Sequence, residues 1–90
     1  MRESDIEQYL VKQVRAAGGE IRKVAWPGRV GAPDRLVMLP ARRTWVEVKA
    51  PGESAKPHQI REHNRMRRMG EFVEVIDSIE AVDQLIGAST

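Results

Sequence analysis

The stretch from Gly31 to Gly52, GAPDRLVMLPARRTWVEVKAPG, holds three charged residues whose types and spacing could support chemistry. In the segment WVEVKA, strand alternation places Glu47 and Lys49 on one face, about 6–7 Å apart. Asp34 directly follows a Gly-x-Pro turn and opens the preceding apolar run. Taken singly, these residues also fit a solvent-facing Glu–Lys pair and an ordinary turn aspartate.

The predicted hairpin through this stretch decides whether the two acids meet. Its strands pair around the PARR turn, with Leu39 opposite Thr44. That register sets Asp34 nearly opposite Lys49 and within one or two positions of Glu47. Carboxylates this close repel each other unless a cation lies between them, and hard divalent cations prefer oxygen ligands. The sequence therefore predicts a divalent-cation site at this end of the hairpin.

Two polar residues outside the stretch are further candidates. Glu7 falls inside or at the edge of the apolar sector of the first helix, so it faces the sheet, completes a capping box begun by Ser4, or does both. Gln59 shares a face of the second predicted helix with His63 and Met66, which points toward the sheet. There its amide could bond a lysine, a carboxylate or a water, or it is an ordinary polar residue of a first helical turn.

The elements that would position these residues follow from periodicity, caps and turn residues. Helices are predicted at 4–17, at 57–69 and from an Asp77 cap to just before Gly87; strands are predicted at 20–25, 34–39, 44–50 and 72–76, with a turn at 40–43. Hairpin-connected strands followed by a helical crossover imply an α/β fold. We expect a mixed sheet flanked by helices, in the order α-β-β-β-α-β with a short C-terminal helix.

Bulk properties limit the class of protein. Ninety residues make one domain, 1–90, with a core so small that dimerisation would help it. The hydrophobic fraction of 41% and the charged fraction of 31% are typical of a globular chain. There is no cysteine, no apolar run near the roughly 20 residues of a membrane span, and the first residues are too polar for a signal peptide. We expect a protein of the bacterial cytoplasm, or of the host cell if it is viral, with no membrane partner.

The motifs together resemble a known nuclease family. The G-x-P-D at 31–34 and the E-x-K at 47–49 form the pattern of PD-(D/E)xK nucleases. The longer runs KVAWPGRVGAPDRL at 23–36 and VEVKAPG at 46–52, with Gln59 downstream, resemble the VRR-NUC branch, the virus-type replication–repair nucleases. The first helix, E-x-x-L-x-x-x-V-x-x-x-G, is similar to that of archaeal Holliday-junction resolvases. The resemblance covers nearly the whole chain and implies a restriction-endonuclease-like core.

The resemblance implies an Mg²⁺- or Mn²⁺-dependent endodeoxyribonuclease that hydrolyses phosphodiester bonds. Its metal ligands would be Asp34, Glu47, the main-chain carbonyl of Val48 and, through water, Glu7. Lys49 would orient or polarise the attacking water and stabilise charge on the phosphate, and Gln59 would hold Lys49 or that water in place. One departure is Lys56, where the family often has Ser or Thr before the second helix.

The expected substrate is DNA, held through salt-sensitive phosphate contacts that carry little sequence information. Lys23, Arg29 and Arg35 flank the G-x-P-D loop and are the predicted phosphate contacts. Trp26 either stacks on a base or sugar or packs on the body of the protein. A homodimer with two sites would cut branched duplexes such as four-way junctions. A nicking or restriction-type enzyme on linear duplex and a non-catalytic DNA-binding module are the alternatives, and no small-molecule substrate is expected.

Overall fold

The structure, a computed structural model, describes residues 1–90 and contains three helices and four strands. In chain order they are α1 Glu3–Ala16, β1 Glu20–Lys23, β2 Arg35–Leu39, β3 Arg42–Val48, α2 Pro57–Arg68, β4 Phe72–Ile76 and α3 Ile79–Ser89. The predicted α/β class and element order are confirmed, and the ends of most elements shift by a few residues. None of the helices combines the length and apolarity that crossing a bilayer requires.

The sheet has the order β1-β2-β3-β4 and is mixed, as predicted. The first three strands pair antiparallel, and β4 runs parallel to β3 because α2 carries the chain back across the sheet. Helices α1 and α3 cover one face and enclose the main core, while α2 packs against β4. The core consists of Ile6, Leu10, Val14, Val37, Leu39, Val46, Val48, Ile76, Val82 and Leu85.

The hairpin register differs from the predicted one. The turn is Pro40–Ala41 rather than 40–43, and Leu39 pairs with Arg42, not with Thr44. Neither Pro40 nor Ala41 has a positive φ, so the turn is not one of the primed types that two-residue hairpins usually adopt. Continued past the last ladder pair, the observed register sets Asp34 in line with Glu47 instead of Lys49. Because the correction is an even number of positions, every side chain keeps its predicted face.

The start of α1 also differs from the prediction. The helix begins at Glu3, and the carboxylate of Asp5 accepts a hydrogen bond of 2.7 Å from the main-chain nitrogen of Arg2. The predicted capping box of Ser4 with Glu7 is therefore wrong. In a capping box, the acid three positions after the cap accepts a bond from the main-chain nitrogen of the cap residue. With Arg2 as the cap, that acid is Asp5 rather than Glu7. Glu7 then lies in the second turn of α1, with its side chain free to reach the sheet.

The C-terminal helix is longer than predicted. Its cap is Ser78, whose hydroxyl accepts a 3.1 Å hydrogen bond from the nitrogen of Ala81, so the assignment of Asp77 as the cap is wrong. The helix continues through Gly87 to Ser89. The main-chain oxygen of Ser89 accepts a bond from the nitrogen of Ala41 at 2.9 Å. This bond to the hairpin turn stabilises the last turn of α3, which Gly87 would otherwise weaken.

Candidate active site

A small cavity of about 50 Å³ lies where α1, the loop before β2, and the end of β3 meet. It is lined by Glu3, Glu7, Asp34, Arg35, Glu47 and Val48. All four residues expected to bind a metal therefore line one cavity, although they come from three separate segments of the chain. Glu3 lies one helical turn before Glu7 on α1 and adds a fourth carboxylate.

The backbone around the cavity is held by the sheet. Glu47 lies in β3, which is paired on both edges, antiparallel to β2 and parallel to β4. Just after the strand, the main-chain nitrogen of Lys49 donates to the oxygen of Ile76 at 2.9 Å. On the other side, the main-chain oxygen of Asp34 accepts from Val24 at 2.9 Å. Both acid-bearing segments are thus fixed by main-chain bonds.

The loop that carries Asp34 depends on a glycine. Gly31 has φ of +89°, which L side chains rarely adopt, and its Cα lies tightly against the carbonyl of His58 at the start of α2. Pro33 is fully buried two residues later. The Gly-x-Pro turn therefore fastens the loop to α2 immediately before Asp34.

Glu47 is the carboxyl group of the cavity whose pKa is shifted. Burial raises the pKa of its carboxyl above the ordinary value of 4.5, and the neighbouring charge of Asp34 raises it further. Lys49 acts in the opposite direction and lowers this pKa, while Glu3 raises it. The repulsion from Asp34 is the electrostatic signature expected of two carboxylates that share a cation site.

Arg35 reaches into the cavity from β2. Its Nη2 pairs with the carboxylate of Glu7, and its Nη1 lies 3.4 Å from an oxygen of Asp34. The arginine side chain is only 15% exposed. A phosphate contact by Arg35 stays a prediction that this placement does not support, because its guanidinium is engaged by two carboxylates of the cavity.

Lys49 and Gln59 lie outside the lining of the cavity. Lys49 is half-buried, and its charge acts on both Glu47 and the buried His63. The side-chain oxygen of Gln59 accepts a 2.8 Å hydrogen bond from the main-chain nitrogen of Lys56 and so caps α2. The side-chain oxygen of Gln59 therefore acts as that of an ordinary polar residue in a first helical turn. Its amide nitrogen is the group left for the predicted role beside Lys49.

The predicted DNA contacts occupy different surroundings. Lys23, at the end of β1, is exposed. Arg29 is 54% exposed and lies 3.5 Å from a carboxylate oxygen of Glu62. Trp26 donates from its indole nitrogen to the oxygen of Pro33 at 2.8 Å, and its ring centroid is 5.0 Å from that of Trp45. Trp26 thus packs on the body of the protein, which is the second of the two roles predicted for it.

Comparisons with known proteins identify the family. A solved structure described as a "VRR_NUC domain" superposes with a TM-score of 0.86 at 40% identity, over 98% of this chain and 97% of that one. A curated relative, "Putative nuclease p44" of Acyrthosiphon pisum secondary endosymbiont phage 1, is 51% identical over 79 residues, which are 87% of this chain and 85% of that protein. The chain belongs to the VRR-NUC family. No family model matches it.

The VRR-NUC assignment implies a metal, and the donor set of the cavity fits one. Carboxylate and carbonyl oxygens are the ligands that Mg²⁺ and Mn²⁺ prefer. No three of the chain's Asp, Glu and His side chains are already gathered closely enough to hold an ion. The geometry explains this, because the guanidinium of Arg35 lies against both Glu7 and Asp34. The oxygen donors of Glu7, Asp34, Glu47 and Val48 nevertheless line the same cavity.

Two acids of this VRR-NUC domain, Glu3 and Glu62, were absent from the sequence predictions. Glu3 lines the cavity, and its spacing of four from Glu7 could have placed both on one helix face. Glu62 is a buried acid whose carboxylate lies 2.8 Å from Arg65. His63, which was predicted to face the sheet, is fully buried, and burial lowers its pKa. No local sequence signal distinguishes Glu62 from the exposed charges that surround it on α2.

Proposed function

We propose that this VRR-NUC domain is a metal-dependent DNA endonuclease that hydrolyses phosphodiester bonds. The observation that carries the proposal is the convergence of Glu7, Asp34, Glu47 and Val48 on one small cavity. Mg²⁺ or Mn²⁺ is the proposed cofactor, with Asp34, Glu47 and the carbonyl of Val48 as ligands and Glu7 acting through water.

In this proposal each side chain has a distinct role. A bound divalent cation would supply charge neutralisation at the scissile phosphate and acidify an attacking water. Asp34 and Glu47 would hold that cation near the end of β3, where its charge would attract the scissile phosphate. The ammonium of Lys49, on the same strand face as Glu47, would orient the water and stabilise negative charge as it develops on the phosphate. The amide nitrogen of Gln59 would restrain Lys49 or the water.

The proposed substrate is branched duplex DNA, such as a four-way junction, cut by a homodimer. Two sites related by symmetry could nick two strands, and a second copy would enlarge the small core of a ninety-residue chain. Exposed Lys23 and Arg29 supply phosphate contacts, and binding should weaken steeply with salt. We place the enzyme in the cytoplasm of a bacterial cell, or of the host cell of a virus.

A cleavage assay tests the proposal directly. Four-way junction, flap and linear duplex substrates are incubated with protein in Mg²⁺, in Mn²⁺ and in EDTA. We expect metal-dependent cleavage, fastest on the junction, that is abolished by Asp34→Ala and by Lys49→Ala while DNA binding is largely retained. Glu74→Gln, at an exposed position of β4, is the matched control and should cut like the wild type.

The outcomes separate the alternatives. Wild-type cleavage by Lys49→Ala would overturn the site assignment. Equal or faster cutting of linear duplex would favour a nicking or restriction-type enzyme. Binding without cleavage in either metal would leave a non-catalytic DNA-binding module. Sedimentation that shows a monomer at micromolar concentration, with and without junction DNA, would exclude the paired-cut arrangement.

A further inference from the structure

Arg35 is the only cation among the lining residues of the acidic cavity. The cavity holds four carboxylates and this one guanidinium, a formal excess of three negative charges. Arg35 is anchored on β2 opposite the buried Val46, so its charge sits at the edge of the core rather than in solvent. A guanidinium so placed is stable only where carboxylates accept its hydrogen bonds.

The two ion pairs of Arg35 are unequal. Nη2 donates a hydrogen bond to Glu7, which is 30% exposed. Nη1 is buried and has no hydrogen-bond partner, although it lies 3.4 Å from an oxygen of Asp34. The Asp34 carboxylate is 48% exposed and is held by charge alone. Asp34 is therefore the partner that Arg35 can release at small cost, and Glu7 is the partner that it keeps.

We propose that Arg35 is a positioning residue that acts as the resident counter-cation of the metal site. Without a divalent cation, its charge holds Glu7 and Asp34 together and lets the cavity fold. Asp34 and Glu47 would hold a divalent cation, and Arg35 would then keep its pair with Glu7 alone, so that Glu7 would stay oriented to act through water. This inference rests on the proposed metal site and adds a residue that competes with the metal for one ligand.

The proposal predicts opposite effects on folding and on metal binding. Removing the guanidinium leaves the carboxylates uncompensated, so the metal-free protein should lose stability. The same change removes a repulsive positive charge and frees Asp34, so the affinity for a divalent cation should rise, on the order of tenfold. A residue with only a structural role would lower stability and metal affinity together.

The test measures Mn²⁺ binding by the full chain rather than activity. Calorimetric titration with Mn²⁺, and melting temperatures in EDTA and in saturating Mn²⁺, are compared for wild type, Arg35→Gln and Arg35→Lys. Arg35→Gln should melt lower in EDTA, recover most of that loss in Mn²⁺, and bind Mn²⁺ about tenfold tighter. Arg35→Lys keeps the charge but cannot span two carboxylates, so it should bind about threefold tighter with a smaller loss in EDTA. Arg22→Gln, which removes a surface pair with Glu20, is the matched control and should match wild type in both measurements.

Each outcome decides. If Arg35→Gln does not fold, Arg35→Lys carries the test. Mn²⁺ affinity that is unchanged or weaker in the variants overturns the role of Arg35, as does a stability loss that is equal in EDTA and in Mn²⁺. Wild-type protein that neither binds Mn²⁺ nor melts higher in its presence would instead overturn the proposed metal site, and the role of Arg35 with it.

Discussion

Gly31, in the G-x-P-D loop, packs against the start of α2. A Cβ built there would lie 2.8 Å from the main-chain oxygen of His58 and 3.2 Å from the carbonyl carbon of the same residue. Gly28, in the same loop, also has a positive φ, +76° against +89° for Gly31, but a Cβ there would meet nothing within 4 Å. Alanine at the two positions thus imposes a similar backbone penalty, and only one of them creates an overlap.

The structure sets the expected magnitudes. The left-handed conformation costs a non-glycine residue about 1–2 kcal/mol, which both variants incur. Gly31→Ala must also push the loop away from a helix backbone, and such overpacking costs about 1–3 kcal/mol more. We therefore expect a loss of about 1–2 kcal/mol for Gly28→Ala and about 2–5 kcal/mol for Gly31→Ala. Because Asp34 is three residues further on, only Gly31→Ala should move it away from Glu47.

Urea unfolding followed by the fluorescence of Trp26 and Trp45, the two tryptophans of the chain, measures the stability loss. Under the proposed function, cleavage of junction DNA in Mg²⁺, measured well below the unfolding midpoint, would report the displacement of Asp34. Gly28→Ala should retain cleavage and Gly31→Ala should lose most of it. Equal stability losses and equal cleavage rates in the two variants would show that the loop does not rest on the start of α2, and the account of how Asp34 is placed would be wrong.

Three further predictions concern single side chains. Glu47→Gln should raise the free energy of unfolding in EDTA at pH 7, because burial and Asp34 raise the pKa of Glu47 and so disfavour its charged form in the folded protein. In urea titrations this gain should vanish below the ordinary pKa of 4.5, where Glu47 is protonated in both the folded and the unfolded protein. Burial lowers the pKa of His63 below its ordinary value of 6.5, so stability should be full above pH 6.5 and fall as the pH drops below it; His63→Gln should remove that slope, and an unchanged slope would contradict the assignment. Leu10→Ala, at a fully buried position of α1, should cost about 2–5 kcal/mol in the same titration, with a loss under 1 kcal/mol arguing against the described core.

Periodicity and turn residues sufficed to predict the order of the elements and the faces of the strands. The hairpin register was missed because Arg42 and Arg43 look like turn residues in isolation. Arg42 instead pairs with Leu39, and its guanidinium lies 4.4 Å from the ring centroid of Phe72 on β4. A cation–π contact between segments so far apart in sequence leaves no local signal.

The sequence predicted most residues of the candidate site but not the ion pairs that they form with one another. Strand alternation and the Gly-x-Pro turn indicated Asp34 and Glu47, and the family resemblance added Glu7. Arg35 was read as a phosphate contact because it adjoins the motif in sequence. Its strand position turns it toward α1 instead, where it pairs with Glu7. Which of several nearby charges a buried cation chooses is decided by tertiary packing, so a single sequence does not reveal it.

The two acids of the hairpin lie on backbone that is held by different numbers of main-chain bonds. Glu47 lies in a strand that is bonded along both edges, so its amide should exchange with solvent only when the whole domain unfolds. Asp34 lies just outside the β2 ladder, where its main-chain oxygen accepts one bond from Val24, so we expect this segment to open before β3 does. Such an opening would carry Asp34 away and leave Glu47 in place. The folded protein would then alternate between a complete and an incomplete candidate site, and the equilibrium of one short loop would set the fraction of molecules in which both acids are in place.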